Sequence, residues 1–156
     1  MTLQTDSVLD DARQALPELG RLVDRQLRNT LSELVTDPSL DTLRYLENDW
    51  GGLSAQLDAI RKALTSRAAE LEEQIDELDD VGLLWQRTLA TEPDLPEELR
   101  ELLQAFLSEV EVVRQLALEH RVTVLSLLNR VSEQAARIQD AMADLARARE
   151  EKVGRM

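Results

Sequence analysis

Two features of the sequence have the residue types that chemistry needs: its single histidine, and an acidic run. His120 sits among Val113, Ala117 and Val124, with Glu119 and Glu109 slightly off that face. A general base or a metal site needs a second convergent ligand or carboxylate. His120 has none at helical spacing on its own face, so it reads as a seam or rim histidine. The run Glu70–Asp80 holds seven acidic residues and no basic one. Within it Glu72, Asp76 and Asp80 fall in one helical row, where like charges repel mildly. It lacks the glycine and the alternating oxygen ligands of a calcium loop. It reads as a solvated face. The sharper alternative is an acidic contact face for a basic partner, either Arg114 or Arg121 of the same chain or another subunit.

Other chemistry is absent. The sequence contains no glycine-rich phosphate loop, no Gly-x-Ser-x-Gly and no His-Glu-x-x-His. There is no cysteine, which excludes disulfides, thiolate catalysis and Cys-based metal sites. No enzyme activity, metal, cofactor or small-molecule substrate is expected. The net charge of −13 argues against nucleic acid and against lying flat on anionic lipid. The N-terminus lacks the basic and apolar regions of a signal peptide, and no run reaches the length of a membrane span. The expectation is that this segment does not itself insert in a membrane.

The elements that hold these residues are helices. Glycine and proline are scarce, one Phe and one Tyr are present, and hydrophobic residues make up 43% of the chain. From Leu43 to Leu89 the apolar positions Leu43, Leu46, Trp50, Leu53, Leu57, Ile60, Leu64, Ala68, Leu71, Ile75, Leu78, Gly82, Trp85 and Leu89 follow steps of three and four, with one stutter at Leu64–Ala68. This predicts a helix over about 39–90, a rod of about 75 Å at 1.5 Å per residue. Gly51-Gly52 interrupts it, as a tolerated bend or as a place where another helix comes close beside Trp50. A second seam, from Leu99 to Leu145, predicts a helix over about 95–152, capped by Asp94 with Glu97 completing a capping box. The loop Thr91–Pro96 joins the two as an antiparallel hairpin. Counting outward from it sets Leu89 against Leu95–Leu99 and Trp50 against Gln134–Ala136.

A shorter first helix is predicted over about 6–35, with the stripe Leu9, Ala12, Leu16, Leu19, Val23, Leu27, Leu31 and Leu34; residues 1–5 are expected to be disordered. Pro17 falls inside the pattern and predicts a kink or a break into two helices. Asp37 or Ser39 caps the next helix. The fold class is therefore all-α: a long antiparallel hairpin, a coiled coil, with the N-terminal helix folded back to make a three-helix bundle at the open end. The expectation is one elongated domain over 1–156, a fragment of a larger membrane protein. Leu118, Val122, Leu125 and Leu128 form a second stripe that the first helix could cover. Leu102, Val112 and Leu116 lie nearer the hairpin tip and form a candidate self-association patch.

Several stretches resemble a known family. They are Thr36–Trp50, Leu57–Leu71, the segment Leu83-Leu-Trp85-Gln-Arg-Thr-Leu89, and Leu127–Ala141. Together they resemble the N-terminal helical region of large bacterial mechanosensitive channels of the small-conductance (MscS-like) type, over roughly residues 36–150. The anchors are the Trp-Gln-Arg-Thr segment and the spacing of the two tryptophans. The family's membrane helices and channel domain have no counterpart in this sequence, so no pore or gate residue is carried over. The resemblance implies a periplasmic coiled-coil domain of an inner-membrane channel that acts in subunit association, scaffolding or modulation of gating. Its partners would be further copies or other parts of the same channel. The alternative reading is a free-standing cytoplasmic coiled-coil adaptor that binds a partner helix through the tip patch.

Overall fold

The computed structural model describes residues 6–155, so the N-terminal segment 1–5 lies outside the described residues. Three α-helices account for nearly all of them: α1 Ser7–Val35, α2 Leu40–Thr91 and α3 Glu97–Gly154. The chain divides into two compact units. One comprises residues 1–64 and 126–156 and the other residues 65–125. The first contains parts of all three helices, and the second only parts of α2 and α3.

The helix ends have local causes. Asp6 precedes α1 and its carboxylate accepts from the Leu9 N–H at 3.4 Å. Pro17 lies inside α1 without ending it, so α1 is one helix and not two. At its other end Asp37 takes a positive φ of 52°, a left-handed conformation that Asp tolerates better than most residues. Ser39 is the residue that caps α2: its hydroxyl accepts from the Thr42 N–H at 3.2 Å. Asp37 is left to pair with Lys152 at 3.4 Å. α3 begins at Glu97, and the Pro96 carbonyl takes the first backbone bond, from the Arg100 N–H at 3.0 Å. Asp94 is thus too far from the helix to cap it, and the expected capping box does not form.

In the three-helix unit α1 runs antiparallel to α2 and parallel to α3. Thr30 meets Trp50, while Val8–Ala15 share a groove with Ala59–Leu64. Gly20 lies beside Gln134, and Asp24 pairs with Arg137. The core is Leu9, Ala12, Leu16, Leu19 and Val23 of α1, Leu43, Leu46, Trp50, Leu53, Leu57 and Leu64 of α2, and Leu127, Val131, Ile138, Ala141 and Leu145 of α3. Trp50 is fully buried, and its indole N–H donates to the Thr30 hydroxyl at 3.0 Å. A buried indole needs that acceptor.

This hydrogen bond corrects the α1 stripe. Leu31 is 59% exposed, whereas Thr30 is buried. Beyond Val23 both Gln26 and Leu27 are half-buried, and the inward face passes on through Thr30, so Leu31 steps off it. The Gly51-Gly52 pair is also settled: a Cβ on either would meet nothing within 4 Å. No helix approaches there, and α2 runs through both residues unbroken.

The hairpin register differs from the outward count. Leu57 and Asp58 share a groove with Ala135 and Ile138, and Glu47 pairs with Arg149 at 2.8 Å. Trp50 is therefore level with about Ala143–Asp144, not with Gln134–Ala136. In the two-helix unit Trp85 packs edge-on against Phe106, with ring centroids 6.4 Å apart. The pairing is displaced along α3 by about one heptad in each unit. Such a slip keeps the same helix face inward, so the buried positions still follow the seam.

Candidate interaction surface

The two-helix unit offers the surface to be explained. Its buried apolar residues are Leu71 and Ile75 of α2 and Ala117 and Val124 of α3. Two helices can bury only the strip where they face one another, and a second apolar stripe needs a third partner. Here apolar side chains remain uncovered on more than one face: Leu83, Leu84, Leu99, Leu102, Phe106, Val112, Val122 and Leu125 are all exposed large hydrophobic side chains.

Helical spacing sorts the α3 residues into columns. Leu103, Val110, Ala117 and Val124, one heptad apart, form the central column. On one flank lie Leu107, Arg114 and Arg121. On the other lie Phe106, Val113 and His120, and beyond them Leu102, Glu109 and Leu116. The first flank is closed by charge. The Arg114 guanidinium donates to Asp79 at 2.6 Å, and Arg121 pairs with Glu72 at 3.0 Å. The Asp79 carboxylate, through its hydrogen bond and its charge, raises the Arg114 pKa above its ordinary value, with a smaller push from Glu111. Both pairs are partly solvated, so each holds the register more than it stabilises the fold.

Of the acidic row predicted from the sequence, Glu72 meets Arg121, one of the two basic residues of the same chain expected for it. Asp76 and Asp80 are exposed. The second α2 carboxylate on α3 is Asp79, which the row omitted. Its signal was present: Glu72 and Asp79 are a heptad apart, as are Arg114 and Arg121, in antiparallel order. His120 is half-buried on the opposite flank, as a rim histidine.

On that opposite flank the patch Leu102, Val112 and Leu116 is brought to the surface. Leu102 is 67% and Val112 69% exposed, and Leu116 is half-buried. Val122 and Leu125, assigned to the stripe that α1 could cover, stay exposed as well. They point to the far side of the central column from the Leu102 row. The unit carries fifteen acidic and five basic side chains, a net −10 of the chain's −13.

Among the described residues no group of three or more His, Cys, Asp or Glu could hold a metal ion, and no helix is long and apolar enough to cross a membrane. The grooves are shallow, open strips between helices. No protein-family model, no curated protein and no solved structure matches this chain.

Proposed function

We propose that this chain is a non-catalytic helical scaffold that works by associating with another helical protein through its two-helix unit. The observation that carries this reading is the open apolar surface of residues 65–125 beside a central strip of only four buried apolar side chains. Within it Leu99, Leu102 and Phe106 are exposed neighbours on α3 at three–four spacing, and apolar surface grouped in that way marks an interaction site more often than it marks chance. The setting we propose is the one the sequence resemblance implies: a periplasmic coiled-coil domain of a small-conductance-type mechanosensitive channel, acting in subunit association, scaffolding or modulation of gating. An adaptor that binds a partner helix uses the same surface and is the second reading, favoured by the exposure of Leu102 and Val112.

Two experiments test these levels separately. A photo-cross-linking side chain at Val112, in the cell that produces the protein, should give a discrete higher-mass adduct. The same group at Glu73, on the solvated side of α2, should not. Equal adducts at both positions, or none at either, would remove the association reading. The genomic sequence flanking the segment tests the setting. An open frame running into several apolar stretches of about 20 residues supports the channel, and a frame with none removes it.

A further inference from the structure

We infer that the occupant of the Leu102–Leu116 flank is a basic amphipathic helix of a different protein segment, not a second copy of this chain; the inference rests on the association reading above. Three observations point that way.

The first is shape. Leu102 and Leu116 stand one above the other with Glu109 midway, and Phe106 and Val113 lie beside them. The row spans four helical turns, about 21 Å. That is the footprint of one helix laid along the hairpin, reading apolar positions at three–four spacing. The inner edge of the strip is the Trp85–Phe106 aromatic pair, a large rigid contact for an apolar side chain of the occupant.

The second is the charge within the strip. Glu109 is exposed, one heptad from Leu102 and one from Leu116. An occupant that covers the leucines must also cover this carboxylate. Left unpaired beneath an apolar helix it would be strongly destabilising, and a Lys or Arg opposite it removes that cost. A two-fold symmetric pairing of two copies about the middle of this row would set Glu109 against its own equivalent.

The third is the charge around the strip. The unit's net −10 would face another −10 in a pair of copies, which repel. On the α2 side of the same flank, helical spacing places Glu77, exposed, outside Val81 and Trp85. The basic side chains that the hairpin possesses at its middle, Arg114 and Arg121, are already engaged on the other flank. A helix with an apolar stripe bordered by Lys and Arg meets the leucines, Glu109 and Glu77 together.

The test uses the full chain and three labelled synthetic peptides of 21 residues, about six turns each, read by fluorescence anisotropy. The first has Leu at three–four spacing bordered by Lys and Arg. The second keeps the leucines and replaces the basic residues by Glu. The third has the composition of the first, scrambled so that no stripe forms. The first should bind at least tenfold tighter than either of the others. Leu102→Ser with Val112→Ser should weaken it at least tenfold, and Glu109→Gln several-fold. Val122→Ser on the other flank should leave it unchanged, and circular dichroism should show every variant as helical as the parent. Equal binding of the first and third peptides would reduce the effect to diffuse charge and overturn the inference. Concentration-dependent self-association in sedimentation, lost in Leu102→Ser, would make a second copy the occupant and overturn it while keeping the association reading. No peptide binding and no self-association would remove both.

Discussion

The same two helices behave differently with and without a third. Among the described residues of the three-helix unit sixteen apolar side chains are buried, and the exposed large hydrophobics are Leu31, Val35, Tyr45 and Val153. In the two-helix unit four are buried and eight are exposed. Leucine-rich helices run through both. The difference is geometric, because a pair of helices encloses one seam while three enclose a core. The polar content follows suit. The closed unit contains a buried Trp50–Thr30 hydrogen bond, whereas the open one is aligned by the partly solvated pairs Asp79–Arg114 and Glu72–Arg121. A surface that one unit hides, the other presents.

The contrast can be broken by substitution. The largest effect is expected at Trp50, the largest side chain with no exposure. Trp50→Ala should cost about 3–5 kcal/mol in urea denaturation. A loss under 1 kcal/mol would mean that the three-helix core is not close-packed. Next comes Leu78→Pro in the two-helix unit, which removes a backbone bond and costs about 3 kcal/mol or more. It should lower the helical signal in circular dichroism while the fluorescence of Trp50 stays that of a buried indole. Simultaneous loss of both signals would show that the closed unit depends on the open one.

Smaller changes sharpen the comparison. Thr30→Val keeps the shape and leaves the Trp50 N–H without an acceptor, at a cost of about 1–3 kcal/mol. Gly52→Ala has room for its methyl group and should stabilise by about 0.5–1 kcal/mol through helix propensity. A decrease in thermal stability would reveal a close approach at that position after all. The smallest effect concerns pH. Hydrogen bonds from Arg61 and Lys62 hold the Asp58 carboxyl below its ordinary value of 3.8. A depressed carboxylate contributes stability above its unfolded pKa and loses it as pH falls through the folded one. Asp58→Asn should therefore lower stability slightly at neutral pH and leave it unchanged in acid, measured as paired urea titrations.

Much of this was legible in the sequence because heptad steps encode which face turns inward. The α2 seam from Leu43 to Ile75 reappears in the burial of Leu43, Leu46, Trp50, Leu53, Leu57, Leu64, Leu71 and Ile75. Register was not legible for the same reason: a displacement of about one heptad leaves that face unchanged, so periodicity alone cannot detect it. The α1 stripe went astray at Leu31 because leucine is the stronger hydrophobic signal. The inward face passes through polar Thr30, and the indole of Trp50 is what makes a threonine suitable there. Asp79 was missed because i to i+4 spacing was followed along the acidic run, whereas contacts between helices repeat by heptads. The exposure of Leu102 and Val112 was visible from the sequence as surplus apolar surface. The charge that selects an occupant became readable once Glu109 could be set in the same row.

Native-state amide hydrogen exchange, followed by mass spectrometry of peptides from each helix, tests the difference between the two units most directly. Amides in 43–64 and 127–145 should be protected far longer than those in 71–89 and 99–116, because opening the closed unit exposes much more apolar surface. Adding the basic amphipathic peptide should slow exchange in 99–116 and leave 43–64 unchanged. Equal protection of the two units in the free chain would contradict the division into a closed core and an open, partner-seeking hairpin.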